Sequence, residues 1–422
     1  MHLGVYGAGY LGSIVSACLA DFGTPVTCYD DDSRRVHQLA AGQVSFYEKN
    51  LQDLMRRNVR AGRLVHSTDL DSFAAKAQAI FLAQDSPRWV EDTALRLAEL
   101  APPETTMVIL TPCPVGTAAR IEARLQAMSS SVSLVTQPLF LTDGCAVEDF
   151  NWPDRIVLGT RSPAAVLALK QIYRPLVMRG VPVIVTRHET AELVREASTA
   201  YLAAKVAFIN EMAALCEHVR ADAVDLALAL GLDKKIAPRC LQPGAAFGGP
   251  FAEQEMQSLA ELAEGRGVPL RILAAAREVH SGLSEGVVDK ISSMVSSVCG
   301  KEVGILGMAF KPHSSSVAGS ASVALARRLA TSGARVRAYD PAAMEEARLA
   351  LDSTVRYCDT AYAAAEGADA LVLATGWPEF RTLDFARIRR IVRQPVIVDT
   401  KNLLEGERLR SLGFRYVGVG RA

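Results

Sequence analysis

The stretch that decides the fold is "HLGVYGAGYLGSIVSACLADFGTPVTCYDDD", His2–Asp32. Its "LGVY" is a short apolar run suited to a buried strand. "YLGSIVSACLADFG" carries small residues along one side and ends in Gly, as a helix does, and "PVTCYD" is a second strand ending in acid. Between the first strand and the helix, Gly7, Gly9 and Gly12 stand in G-x-G-x-x-G spacing. The first permits a tight turn, the second lets the backbone approach a pyrophosphate, and the third allows close helix–strand packing. The helix start at Tyr10 and Leu11 then offers unpaired amides to the phosphates. Asp30 falls about 20 residues on, where a carboxylate binds the ribose diol and disfavours a 2′-phosphate. NAD, rather than NADP, is the expected cofactor. A glycine turn serving packing alone would not need that acid in register. Asp31 and Asp32 read as caps of the next helix and are assigned no ligand.

Outward from this unit, further buried strands are expected at Ala79–Gln84, Thr106–Thr111, Ser133–Pro138 and Arg155–Thr160, with helical stretches between the first several of them. Alternating strands and helices mean a mainly parallel, doubly wound sheet. From Thr190 the texture changes to an Ala-rich, helically periodic run nearly free of Gly and Pro, which predicts one long helix and at least one shorter one. The βαβ texture returns near Lys301, with strands in "KEVGILGMAF", "ARVRAYDP", "ADALVLAT" and "QPVIVDTKN". The expected architecture is α/β: two Rossmann-like doubly wound parallel sheets joined by a helical segment. The expected divisions are 1–190 for NAD, 191–295 for the helical domain with a substrate loop, and 296–422 for the second α/β domain.

Composition excludes several classes. Lys plus Arg and Asp plus Glu balance at 46 each, so no net field favours nucleic acid or an anionic membrane. No apolar run reaches the roughly 20 residues needed to span a bilayer, and the N-terminus lacks a signal-peptide pattern. The 8 cysteines are scattered without a CxxC pair, which argues against a disulfide framework or a zinc site and fits a reducing cytoplasm. No metal is implied.

The order of motifs resembles the UDP-glucose/GDP-mannose 6-dehydrogenases along essentially the whole chain. "GAGYLG", "FYEKNLQDLM" (Phe46–Met55), "FLAQDSP" (Phe81–Pro87), "TPCPVGT" (Thr111–Thr117) and "QPLFLTDGCAVEDFNWPDRIVLGT" (Gln137–Thr160) carry the resemblance, followed by "AYLAAKVAFINEMAALCEHVRAD", "LGMAFKP" and "YDP". The resemblance implies two NAD-dependent oxidation steps from a sugar CH₂OH to a carboxylate, through a cysteine-bound thiohemiacetal and thioester. It also implies a homodimer through the helical domain, and it places Ser86, Pro87 and Thr117 at the cofactor.

Compared residue by residue, the catalytic pattern of that family is altered throughout. Its Thr falls on Pro112, its Glu on Leu139, its Lys on Arg195, its Asn on Thr199, its Cys on Phe251 and its Asp on Glu255. Phe251 has no nucleophilic atom, so a covalent route through that position is closed. Arg195 keeps a positive charge suited to an alkoxide, carboxylate or phosphate, but a guanidinium is a poor proton shuttle. Thr199 keeps a hydroxyl and Glu255 a carboxylate one methylene longer, so a single hydride transfer with Glu255 as base remains open. Cys145, in "TDGCAV", is the first substitute nucleophile to test; Cys113 and Cys240 are others, although a free cysteine is usually a small buried apolar residue.

The substrate contacts implied by the resemblance are Leu139, Phe140 and Leu141 on one loop, and Lys205 and Asn210 on the central helix. Phe247, Gly248, Gly249 and Phe251 in "CLQPGAAFGGPF" form the wrapping loop, with Lys235 where family members extend an Arg across the dimer. Lys311 and Lys401 are cationic contacts to a diphosphate, while the family's R-E-S segment has become Ala318-Gly319-Ser320. The expected activity is an NAD-dependent oxidoreductase acting on a nucleotide sugar or related phosphorylated sugar or nucleoside by one hydride transfer. The alternatives are a redox-neutral epimerase, eliminase or decarboxylase with tightly bound NAD, and a non-catalytic nucleotide-binding homologue.

Overall fold

Each strand of the chain is only three to five residues long, yet two parallel sheets assemble from them. The computed structural model describes every residue except Ala245, Ala246, Pro250, Phe251, Asp352, Ser353 and Ala422. It divides into two compact units, Met1–Ala197 and Ser198–Ala422.

In the first unit the strands are β1 (Leu3–Tyr6), β2 (Val26–Tyr29), β3 (Leu64–Ser67), β4 (Ala79–Leu82), β5 (Thr106–Ile109), β6 (Ser133–Thr136), β7 (Ile156–Gly159) and β8 (Val183–Thr186). They pair in the order β3-β2-β1-β4-β5-β6-β7-β8. All neighbours are parallel except β6 and β7, which meet antiparallel at Thr136 and Gly159. β4 and β5 are buried along their whole length. Central strands covered by helices on both faces read as unbroken apolar runs, and each fully buried Ile, Leu or Phe there contributes about 1.5–3 kcal/mol. The strand order reverses beside β1, between β2 and β4, and there α1 (Tyr10–Asp21) begins.

The second unit starts within the long helix His188–Val219 and continues through helices Ala223–Leu232, Ala252–Glu264 and Arg271–Val295. Its sheet comprises β9 (Glu302–Leu306), β10 (Arg335–Tyr339), β11 (Val355–Tyr357), β12 (Ala370–Leu373), β13 (Val396–Asp399) and β14 (Arg415–Gly418). Their order is β11-β10-β9-β12-β13-β14, parallel throughout. The C-terminal tail ties this sheet to the helices. Arg421 Nε donates to Asp222 at 2.8 Å, Gly420 N donates to Glu217 at 2.7 Å, and Lys290 pairs with the same Glu217 carboxylate.

The expected class, two doubly wound α/β sheets with a helical segment between, is the observed one. Four strands lie outside the expected set: β3, β8, β11 and β14. They are the four outer edges of the two sheets. An edge strand is covered on fewer sides, so its sequence can mix polar and apolar residues, as "LVHS" and "RYVG" do, whereas β8, "VIVT", is an apolar run that is largely uncovered.

Candidate active site

The dinucleotide end is built where β1 hands over to α1. Gly7 has φ +98°, and a Cβ on Gly12 would lie 1.7 Å from the Gly7 carbonyl oxygen, so neither position admits a side chain. α1 has no acid in its first turn and no side-chain cap, which leaves its amide end suited to an anion. The Asp30 side chain accepts from three donors: Ala8 N at 2.7 Å, Arg35 Nη1 at 3.0 Å and Asp32 N at 2.9 Å. Asp32 caps helix Ser33–Ala40 by accepting from Arg34 N, and Tyr29 OH donates to Asp31. Tyr10 reaches out of the motif, its hydroxyl donating to Glu48 at 2.8 Å, while Gly144 N donates to the same oxygen at 2.8 Å. Leu11 packs partly buried against the core. Ser86 is exposed and caps Arg88 N at the start of the short turn Pro87–Trp89. Thr117 is buried with its hydroxyl on Pro114 O, and Glu192 fastens the same helix start through Gly116 N and Ala118 N at 2.6 and 2.9 Å. These residues fit NAD: a close-approach glycine turn, a helix end without a side-chain cap, and a carboxylate at the end of β2.

Other expected site residues of the first unit are placed as follows. Leu139 turns its side chain into the core, and its carbonyl accepts from the Arg195 guanidinium. Phe140 lies under the Arg155 guanidinium, 3.8 Å from ring centre, and Leu141 packs partly buried against the core. Cys145 is exposed at the start of the short helix Ala146–Asn151. Cys113 is a poor nucleophile: burial, with Glu192 adding to it, pushes its thiol up to about 12. Burial also raises the Cys240 thiol in the second unit.

In the second unit, Thr199 Oγ1 donates to Glu255 Oε2 at 2.6 Å, and Glu255 is 7% exposed. Helix Ala252–Glu264 brings the acid there in its first turn. Phe247 packs against Ala203, Met256, Leu259 and Leu273, and Gly248 approaches Gly319 across the loop. Gly244 is pinned from both sides: its amide donates to Asn210 Oδ1 at 2.8 Å, and its carbonyl accepts from Lys401 Nζ at 2.8 Å. Burial pushes the Lys401 ammonium down to about 8, with Asp399 opposing. Lys205 clamps the carbonyls of Ile236 and Ala237 at 2.9 and 3.1 Å, Lys235 is exposed, and Lys311 is half-buried. Phe251 lies outside the described residues.

Two cavities flank Gly244 and Gly248. One of about 720 Å³ lies between the long helix, helix Arg271–Val295 and the carboxyl ends of the second sheet; Asn210, Gly244, Lys290, Ser322, Thr400 and Lys401 are among its lining. The other, about 520 Å³, has Phe247, Gly248, Glu253, Arg277 and His280 around it. Ligands of open α/β sheets bind outside the carboxyl ends of the strands, at the reversal of strand order; here that reversal lies between β10 and β12, beside β9. Among the described residues no cluster suited to a metal occurs, and no helix is long and apolar enough to cross a membrane.

Residues that motif reading passed over include Arg35, Glu48, Asp85 and Glu192. Glu192 shows no pattern in sequence, since it acts on a helix start remote from it, and Arg35, though near Asp30 in the chain, carries no motif of its own. Asp85 had a signal, an acid in the short loop that follows the buried strand β4.

The fold and the glycine turn together define an NAD-binding α/β oxidoreductase. Residues 1–177 match the NAD binding domain of the UDP-glucose/GDP-mannose dehydrogenase family, residues 189–281 its central domain, and residues 304–406 its UDP binding domain. The chain belongs to that family, and NAD is its cofactor. It is 34% identical to UDP-glucose 6-dehydrogenase of Rhizobium meliloti over 436 residues, covering all of both chains. It is 32% identical to UDP-glucose 6-dehydrogenase TuaD of Bacillus subtilis, covering 99% of this chain and 93% of the relative. Among solved structures, a UDP-glucose dehydrogenase from Pyrobaculum islandicum superposes with a TM-score of 0.91 at 31% identity, covering 100% of this chain and 98% of the other.

Proposed function

We propose that this chain oxidises a carbinol of a nucleotide sugar to a carbonyl in one NAD-dependent step and stops there. The observation that carries the reading is the buried Thr199–Glu255 pair, an acid held by a hydroxyl where a proton acceptor is wanted. NAD, when bound, supplies the hydride acceptor. Glu255 takes the hydroxyl proton of the substrate, so the alcohol loses a hydride and a proton and becomes a C=O. Thr199 fixes the orientation of the carboxylate by its hydrogen bond. Arg195 keeps the cationic character of its position. The side chain of Phe251 has no thiol, and without one no thiohemiacetal forms at that position, so the second oxidation has no covalent intermediate to act on.

The match of residues 304–406 to a UDP binding domain supports a uridine nucleotide as the carrier. The cavity beside Gly244 and Lys401 supports the same reading, with Lys401 as the cationic contact. Incubating the protein with NAD and a panel of UDP-sugars, then trapping carbonyls as hydrazones, tests the activity. A trapped UDP-dialdose or ketosugar is the expected product; a uronic acid with no trappable carbonyl overturns the reading.

We also propose that two copies associate through the long helix. Tyr201, Phe208 and Leu215 recur every seventh residue and are 66%, 46% and 52% exposed. Leu228 and Leu232 extend apolar exposure onto the following helix. An exposed apolar stripe of this kind supports a self-complementary contact.

A further inference from the structure

We propose that Asp85 sets the affinity of this chain for its dinucleotide by competing with the pyrophosphate for the space over Gly9 and the amide end of α1. The inference rests on the NAD site and is independent of what the substrate is.

The second glycine of the motif lacks a side chain so that a pyrophosphate can lie against the backbone. In this chain that space is taken. A Cβ built on Gly9 would lie 2.0 and 2.2 Å from the two carboxylate oxygens of Asp85 and 2.4 Å from their carbon. The carboxylate therefore sits directly over Gly9. It also lies near the backbone of Tyr10, the first residue of α1. A negative group at an uncapped helix end is stabilised by the same dipole and amides that would hold a phosphate. Asp85 thus occupies the pyrophosphate's position with a group of the same charge sign.

The surroundings keep it there and make it displaceable. Arg35 Nη1 lies 3.9 Å from Asp85 and 3.0 Å from Asp30, so one guanidinium spans both acids. Asp85 follows β4 in a loop, and its side chain is 53% exposed, so it can swing into solvent without disturbing the core. Burial and the neighbouring Asp30 raise its carboxyl above the usual carboxylate range, with Arg35 and the Tyr10 amide opposing. Only the fraction of molecules with Asp85 turned away is competent, and the apparent dissociation constant rises by the reciprocal of that fraction.

The test is binding, read by NADH fluorescence and by calorimetry with ADP-ribose and adenosine, on the full chain and on Asp85→Ala and Asp85→Asn. Both substitutions are expected to tighten NADH and ADP-ribose about tenfold, and to leave adenosine, which carries no phosphate, unchanged. Asp85 being exposed, thermal melting should be the same for all three proteins, and two variants guard against one that folds poorly. Unchanged or weaker NADH binding in both variants overturns the proposal, as does an equal gain for adenosine.

Discussion

Thr199 and Glu255, 56 residues apart in the chain, meet through a 2.6 Å hydrogen bond in a position where the acid is 7% exposed. A buried carboxylate without a donor is costly, and the Thr199 hydroxyl is one group that satisfies it. The pair is a structural bond and, in the proposed reaction, the proton acceptor, and substitutions separate the two roles.

Glu255→Gln keeps volume and a hydrogen-bonding oxygen while removing the proton acceptor. Turnover should fall by about 10²–10⁴-fold, with NADH binding unchanged. Pre-steady-state NADH formation against NADH fluorescence titration reads both. Turnover within twofold of the unaltered protein would remove Glu255 from the base role.

Thr199→Val keeps the shape and deletes the donor. The buried carboxylate then loses that hydrogen bond, and stability should drop by about 1 kcal/mol. Urea denaturation checks this, with an unchanged m-value as the sign that only stability moved.

Gly12→Ala tests the dinucleotide turn. The added methyl would stand 1.7 Å from the Gly7 carbonyl oxygen, closer than any relaxation of a rigid turn absorbs. The first sheet should melt earlier and NADH affinity should be lost, both measurable on one sample by differential scanning fluorimetry with and without NADH.

Lys401 connects folding and ligand through pH. Its ammonium is pushed from 10.5 down to about 8. Between about 8 and 10.5 the unfolded chain binds the proton that the folded chain has released, so this group's contribution to stability rises with pH across that window. Below 8 the buried charge is a full burden on the fold. Its attraction for a diphosphate runs the other way and fades above 8. UDP binding measured by calorimetry should weaken several-fold from pH 7 to 9, and Lys401→Gln should flatten that dependence. A wild-type affinity independent of pH would take Lys401 out of the nucleotide contact.

The dimer stripe is tested by Phe208→Glu. Placing a charge in the centre of an apolar seam should shift the protein to monomer in light scattering at micromolar concentration, with unchanged helicity. A dimer of undiminished stability would place the contact elsewhere.

How far the sequence reveals this arrangement follows from burial. β1, β4, β5, β9 and β12 are covered on both faces and read as apolar runs, and the glycine spacing with Asp30 marks the cofactor turn without further help. β3, β11 and β14, three of the sheet edges, carry no such run, while the fourth, β8, carries "VIVT" and is passed over all the same. Thr199 and Glu255 were identifiable singly by resemblance, but their hydrogen bond depends on how the helix Ala252–Glu264 packs, which no spacing encodes. Leu139 shows the converse: the sequence marks it as a substrate contact, whereas its side chain joins the core and its carbonyl serves Arg195. Asp85 over Gly9 is a contact between loops after β1 and β4, adjacent in the sheet and far apart in the chain.

The most direct test of the account is the ratio of NADH formed to nucleotide sugar consumed, run to completion with the substrate limiting. One hydride transfer gives one NADH per sugar. Two NADH per sugar, with a carboxylate product, would contradict the account and require a nucleophile that Phe251 does not supply.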